Sequence, residues 1–367
     1  MINVMTTPRT VDLELTSRCN LRCRYCYYMN NEGVTYEDLP TDRWLAFFEE
    51  MGRAKVMSVC LAGGEPLIRQ DFFELIDGIV RNRMRFELLT NGILLTKETA
   101  QQLKATNRCN SIQVSLDGST PEIHERLRGR GSFAPALQAI RILQSEGLPA
   151  TVRVTVHAFN VEDLPAIAHL LLEEIGLPSF STNAISSLGT QAKYGDDLFM
   201  TPAARLRAMQ VLAELDQLYP GRIEADAGPL AEWKMFHEME RIRASGGVIP
   251  GRGKLVGCGC IFKRISVRAD GAYVPCVMMP QIVMGYIGID PLEKIWRDAA
   301  ALNNLRDRVH IPLTSFARCR DCEYNALCTG NCAGTALSAT GDPNQPSMEG
   351  CLKLFQEALA AEGLSLW

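Results

Sequence analysis

Three cysteines within eight residues, Cys19-x3-Cys23-x2-Cys26 in TSRCNLRCRYCYY, follow directly on an apolar run that reads as a strand, and no other feature constrains the chain as much. Three thiolates on one tight loop can each bind one iron of a cubane. A 4Fe-4S cluster normally takes four cysteines, so such a loop leaves one iron open for chemistry. A disulfide knot competes, but the sub-loops are too short to close comfortably, and MINVMTTPRT does not read as a secretory leader. Zinc ribbons need paired x2 spacings, which this loop lacks. A second block holds Cys258-x-Cys260, Cys276, Cys319-x2-Cys322-x5-Cys328-x3-Cys332 and Cys351, enough thiols for two complete 4Fe-4S clusters, with two zinc sites as the competing reading. Cys60 and Cys109 lie in or beside apolar runs and read as inert core thiols.

Up to about residue 190 the chain alternates short apolar runs with amphipathic segments. Strands are predicted at Val11 to Thr16, Val56 to Ala62, Phe86 to Thr90, Ser111 to Asp117, Thr151 to His157 and Phe180 to Ile185. Trp44, Phe47, Phe48 and Met51 follow helical spacing behind a Thr41 cap, and Thr120-Pro121 and Thr201-Pro202 open further helices. Strands alternating with helices imply a parallel sheet, either doubly wound or barrel-like. The motifs stand at the ends of successive strands, which in a barrel share one rim. Residues 201–245 read as helical, and a glycine-rich GGVIPGRGKLVGCGC then precedes a predicted hairpin, Arg264 to Arg268 and Ala272 to Pro275 around Asp270-Gly271.

With 367 residues and 47% hydrophobic content the chain has room for two domains with substantial cores. A net charge of -4 sets up no basic field for nucleic acid or anionic lipid, and no apolar stretch is long enough to span a membrane. Reduced thiols in this number imply a cytoplasmic location. Arg252, Lys254, Lys263, Arg264 and Arg268 form a local basic stretch, read as a solvated surface or as a dock for an acidic electron donor or peptide. The five histidines, His124, His157, His169, His237 and His310, show no metal-binding spacing and receive no role.

The three-cysteine loop with Tyr25 before its last cysteine, then Gly63-Gly64-Glu65-Pro66, Thr90-Asn91-Gly92 and Ser115-Leu116-Asp117-Gly118, resembles the radical S-adenosylmethionine (SAM) enzymes. The C-terminal cysteines resemble the twitch/SPASM extension of the peptide and protein maturases, so the resemblance covers nearly the whole chain. It implies an α/β fold, a partial (βα)6 TIM-like barrel open on one side, with a C-terminal cysteine-rich iron-sulfur domain. The expected division is 1–200 for the barrel, 201–250 for a helical bridge and 251–367 for the auxiliary-cluster domain.

By the same resemblance Cys19, Cys23 and Cys26 hold the SAM-binding cluster, whose open iron is chelated by SAM. Reductive cleavage then gives a 5'-deoxyadenosyl radical that abstracts hydrogen. Gly63, Gly64 and Glu65 would shape the methionine site, Ser115 would face the ribose or carboxylate, and Tyr25 would pack near adenine. Arg128 could pair with the carboxylate, with Arg126 and Arg130 as competitors. Carried over position by position, Cys258, Cys260, Cys276 and Cys332 would hold an inner auxiliary cluster, and Cys319, Cys322, Cys328 and Cys351 an outer one, making three 4Fe-4S clusters. Cys258 is the doubtful ligand, because its spacing to Cys260 is shorter than the family's usual one. Val277 stands where the sulfatase-maturing branch is expected to carry an acid, and with Met278 and Met279 it reads as packing around a cluster or as a substrate contact.

These features lead to the expectation of a maturase that abstracts hydrogen from a ribosomally made peptide and installs a crosslink or an epimerised centre. Among subgroups the chain is similar to the maturases of SynChlorMet-type peptide cassettes. The short N-terminus leaves no room for a fused recognition domain, so a separate peptide-recognition protein or direct leader binding is expected, with a flavodoxin- or ferredoxin-type reductant. Two alternatives stand beside it: a radical SAM enzyme of haem or redox-cofactor biosynthesis, and a non-catalytic iron-sulfur electron-transfer scaffold.

Overall fold

The computed structural model describes residues 4–27, 36–186, 196–256 and 259–367, the side chains of residues 196 and 260 excepted. Its strands are β1 (Thr10–Glu14), β2 (Ser58–Ala62), β3 (Arg85–Thr90), β4 (Cys109–Ser115), β5 (Ala150–Val156), β6 (Phe180–Ala184), β7 (Ile223–Ala225), β8 (Arg264–Val267), β9 (Ala272–Val274) and β10 (Gly285–Tyr286). They form one sheet in the order β10-β9-β8-β1-β2-β3-β4-β5-β6-β7. From β8 through β7 every neighbouring pair is parallel, and only the β8–β9 and β9–β10 pairs are antiparallel. Parallel neighbours need crossover connections, and helices supply them: α1 (Thr41–Arg53), α2 (Phe72–Arg81), α3 (Lys97–Ala105), α4 (Pro121–Arg128), α5 (Phe133–Ser145) and α6 (Leu164–His169). The mostly parallel α/β sheet expected from the alternation is therefore present.

Period two along each strand sorts the residues between two environments. Val11, Leu13, Val59, Leu61, Phe86 and Leu88 are buried on the helix-covered face, against Trp44, Phe47 and Phe48 of α1 and Leu75 and Ile79 of α2. The alternate positions face the other way and are largely polar, with Cys60, Ala62 and Leu89 the apolar members on β2 and β3. Asp12, Cys60, Glu87 and Ser111 stand in one row across β1 to β4, and Ser115, Arg153 and Ser181 in another across β4 to β6. Helix α1 begins at Thr41 with Pro40 as its N-cap, so Thr41 does not cap it; its hydroxyl donates instead to Asp71 Oδ2 at 2.5 Å. Thr201 does cap the next helix, α7 (Pro202–Leu218), accepting from the Ala204 amide at 3.2 Å.

Two connections depart from the sequence expectation. The segment read as helical between residues 201 and 250 contains α7 and α8 (Pro229–Ala244), but β7 lies between them and pairs with β6. The C-terminal hairpin is present as β8 and β9, yet β8 also pairs in parallel with β1, so this region extends the N-terminal sheet. A second core joins Met209 and Leu206 of α7, Phe236 and Met239 of α8, and Leu352 and Phe355 of the helix Leu352–Ala361. No helix among the described residues is long and apolar enough to cross a membrane.

Candidate iron-sulfur and SAM site

The three-cysteine loop leaves the C-terminal end of β1 and is moored on two sides. On one side the Gly64 amide donates to the Thr16 carbonyl at 2.8 Å and the Glu65 amide to the Arg18 carbonyl at 2.9 Å. This approach demands glycine: a Cβ on Gly63 would lie 2.5 Å from Thr16 O, and one on Gly64 would lie 2.0 Å from Arg18 O. Glu65 is buried, and its carboxylate accepts from the Leu67 amide, the Thr90 hydroxyl and the Asn91 amide, locking the GGEP turn to the TNG turn after β3. Burial raises this carboxyl to about 6, although those hydrogen bonds oppose the rise. Asn91 Nδ2 lies 2.7 Å from Asn20 Oδ1 inside the loop.

On the other side the Arg24 amide donates to the Leu127 carbonyl at 2.9 Å, and Cys23 Sγ lies 3.7 Å from the Arg128 carbonyl. The Leu21 amide reaches Cys19 Sγ at 3.4 Å. Burial pushes the Cys19 thiol up and the Cys23 thiol to about 11. Iron, which binds thiolates, would have to displace those protons.

The structure places Arg128 and Tyr25 together in a way the sequence did not suggest. Arg128 is buried and its Nε donates to Asp117 Oδ2, so the guanidinium is already engaged, and Tyr25 donates its hydroxyl to the same carboxylate oxygen. Burial alone would raise Asp117, but the adjacent guanidinium holds it below the usual carboxylate range. Arg126 lies over the Phe159 ring, 3.5 Å from its centroid, and Arg130 is exposed. Ser115 ends β4 half-buried on the polar face.

His124, His157 and Asn160 complete this neighbourhood, and sequence reasoning gave none of them a role. The Asp117 amide donates to His124 Nδ1, and the Phe159 amide to His157 Nδ1, so both rings are neutral with the proton on Nε2. Burial, aided by the Arg128 charge, pulls both histidines to about 4. An unfolded histidine titrates near 6.5, so the folded state binds fewer protons between about 4 and 6.5 and loses stability as pH falls through that window. Between pH 7 and pH 5 each buried ring is expected to cost the fold about 2 kcal/mol. Urea unfolding of wild type and His157→Phe checks this: wild type should lose about 2 kcal/mol more than the variant over that range, and parallel losses would refute it.

The C-terminal cysteines fall into two places. Cys319, Cys322, Cys328 and Cys351 line one cavity of about 260 Å³ with Tyr324 and Leu352. Burial raises Cys319 to about 11, with the thiols of Cys328, Cys351 and Cys322 adding to the rise. Cys328 Sγ accepts from the Gly330 amide at 3.4 Å, and Cys276 Sγ from the Met278 amide at 3.5 Å, hydrogen bonds of the kind that tune cluster potentials. Cys332 is N-cap of the helix Ala333–Thr340, where a Cβ on Gly334 would lie 2.8 Å from Met278 Cβ and 3.6 Å from Cys332 Sγ, so Cys332 sits beside the segment after Cys276. Cys258 lies outside the described residues. No three His, Cys, Asp or Glu side chains converge as ligands of one metal ion among the described residues. A cubane does not ask for that convergence, because each thiolate binds a different iron. The four thiols of Cys319, Cys322, Cys328 and Cys351, gathered at one cavity, suit a cluster in chemistry and grouping; the Cys260 side chain, like Cys258, lies outside the described residues.

Other expectations resolve locally. Met279 is buried in the main core and Met278 packs on Gly334, so this run makes packing contacts. The basic stretch is largely neutralised: Arg264 pairs with Asp12 at 3.0 Å, Arg268 with Asp270 at 2.5 Å, and Arg252 approaches Glu238 at 3.9 Å. Cys60 is buried and Cys109 half-buried, and burial pushes both thiols up, Cys109 to about 12.

The family profile of the radical SAM superfamily matches residues 13–171, and that of the SPASM iron-sulfur cluster-binding domain matches residues 258–323. The chain joins a radical SAM domain to a SPASM domain. As a radical SAM enzyme it is 29% identical over 349 residues to the AdoMet-dependent heme synthase of Methanosarcina barkeri, covering 93% of this chain and 96% of that one. It is 27% identical over 345 residues to the PqqA peptide cyclase of Ruegeria pomeroyi, covering 92% and 86%. The structure of Streptococcus suis SuiB bound to precursor peptide SuiA superposes with a TM-score of 0.73 at 16% identity, over 95% of this radical SAM-SPASM chain and 77% of SuiB, a likeness of fold. The two domains imply SAM and 4Fe-4S clusters as cofactors.

Proposed function

We propose that this radical SAM-SPASM enzyme is a peptide maturase that begins by abstracting hydrogen from a ribosomally made peptide and ends in a crosslink or an epimerised centre. The observation that carries this reading is the sheet face turned away from the helices, where Asp12, Glu87, Gln113, Arg153 and Ser181 make a largely polar wall in place of the apolar lining a flat macrocycle would need. A peptide brings its own amide donors and acceptors to such a wall. The peptide cyclase among the relatives supports the same reading.

Cys19, Cys23 and Cys26 would hold the SAM-binding cluster, with Gly63, Gly64, Glu65, Tyr25 and Ser115 around the SAM. Cys319, Cys322, Cys328 and Cys351 would hold the outer auxiliary cluster, and Cys258, Cys260, Cys276 and Cys332 the inner one, three clusters in all. When bound, these groups supply reductive cleavage of SAM and hydrogen-atom abstraction. The chain's residues would anchor the cluster loop on both sides, shield it with the half-buried Tyr25, and present hydrogen-bonding groups to the substrate. A separate recognition protein and a flavodoxin- or ferredoxin-type reductant would complete the system.

Haem-type chemistry is the second reading, favoured by the heme synthase similarity over nearly the whole chain. The two are separated by giving the reconstituted holoenzyme, SAM and strong reductant either a candidate precursor peptide encoded beside its gene or an iron coproporphyrin. A peptide mass change, or deuterium uptake from heavy water, with 5'-deoxyadenosine formed in step is the expected result. Conversion of the porphyrin with the peptide untouched would overturn the maturase reading.

A further inference from the structure

Resting on the reading of residues 19–26 as a cluster loop, we propose that Asp117 is a positioning residue that holds the Cys23–Cys26 half of that loop on the sheet rim through Tyr25 and Arg128. Its carboxylate is fully buried, with Oδ2 accepting from Tyr25 and from Arg128 Nε, and Oδ1 accepting from the Thr155 amide at 2.8 Å. The backbone is held as firmly. The Asp117 amide donates to His124 Nδ1 at 3.1 Å, and its carbonyl accepts from Asn160 Nδ2 at 2.9 Å. One side chain therefore joins β4, β5, the end of α4 and the cluster loop.

The two halves of the loop have separate moorings. Residues 18–20 are tied to the turns after β2 and β3, by Glu65 N to Arg18 O and by Asn91 to Asn20. Residues 23–25 are tied to the α4 end, to Asp117 and to Asp197: Arg24 N to Leu127 O, Cys23 Sγ near Arg128 O, Tyr25 OH to the Asp117 carboxylate, and the Arg24 guanidinium to Asp197 at 3.1 Å. Arg128 also lies 5.4 Å from the Tyr25 ring centroid, so the ring is gripped at its hydroxyl and on its face. An ionised carboxylate accepts several donors at once, which neutral Asn cannot do with the same geometry. Because Tyr25 lies between Cys23 and Cys26, a displaced ring moves both ligands.

The test uses the full chain reconstituted anaerobically, as wild type, Asp117→Asn, Tyr25→Phe and Asp117→Asn/Arg128→Met. Asp117→Asn is expected to release the loop-cluster iron to a chelator about tenfold faster than wild type and to lose the SAM-dependent change in the loop cluster's EPR signal, while auxiliary iron leaves at the wild-type rate. The double variant also removes the guanidinium left unpaired, so its melting temperature recovers, but the fast loss of loop iron persists. Tyr25→Phe, which deletes only the hydroxyl, is expected to show the same selective loss even where Asp117→Asn does not fold. Recovery of both melting temperature and loop iron in the double variant would reduce Asp117 to a structural ion pair and overturn the proposal, as would a wild-type rate in Tyr25→Phe or equal loss from all clusters. Wild type that takes up no loop iron would instead overturn the cluster reading itself.

Discussion

The Cys19→Ala/Cys23→Ala/Cys26→Ala variant, reconstituted anaerobically, is expected to form no 5'-deoxyadenosine from SAM under strong reductant and to carry about four fewer irons per chain than wild type. The effect should be complete because no other described thiol can substitute. Cys60 is buried in the sheet, and the C-terminal cysteines belong to a different part of the fold, Cys319, Cys322, Cys328 and Cys351 around their own cavity. The remaining iron, about eight per chain, should sit in the auxiliary sites. Zinc in place of iron in wild type would leave the scaffold reading, whereas SAM cleavage surviving in the variant would sink the assignment of this loop as the SAM-binding site.

Gly64→Ala is expected to destabilise the fold by about 3 kcal/mol and to release the loop cluster, although it adds a single methyl group. The added Cβ would meet Arg18 O at 2.0 Å, Arg18 C at 2.5 Å and Cys19 N at 3.1 Å, all of them backbone atoms. A side chain could swing away; a backbone moves only with its hydrogen bonds. Relief would break Gly64 N to Thr16 O and Glu65 N to Arg18 O, the two bonds that hold the first half of the loop. Denaturant unfolding together with an iron count measures both effects. A variant with the wild-type midpoint and full loop iron would show that the loop and the GGEP turn are less closely docked than the structure has them.

The glycines illustrate how far a residue pattern can be read. Their sequence position, directly after a strand, announces a close backbone approach. What they approach is visible only in three dimensions: in the first instance it is the cysteine loop itself. Arg128 shows the same limit. A guanidinium near the SLDG motif suggested a partner for SAM's carboxylate, but Asp117, eleven residues earlier, already engages it. His157 reads as an isolated histidine in sequence and lies within the Tyr25 and Asp117 layer in the fold.

The six strands of the N-terminal sheet and the hairpin after Arg264 were legible because strand and helix periodicities are set by neighbours a few residues apart. β7 was not, since three residues between two helices carry too short a pattern. The pairing of β8 with β1 joins residues more than two hundred positions apart, as in Thr10 opposite Arg264, and no local signal encodes it. The amino-acid sequence by itself determined the cysteine spacing and the short loop that carries its first three, the alternation of strands with helices and the resemblance these define. Only the tertiary structure decided which face of the sheet is polar lining, which buried charges neutralise each other and which residues moor the cluster loop. Desolvated charges take the partner that folding brings within hydrogen-bond reach, and that choice depends on the packing of the whole chain.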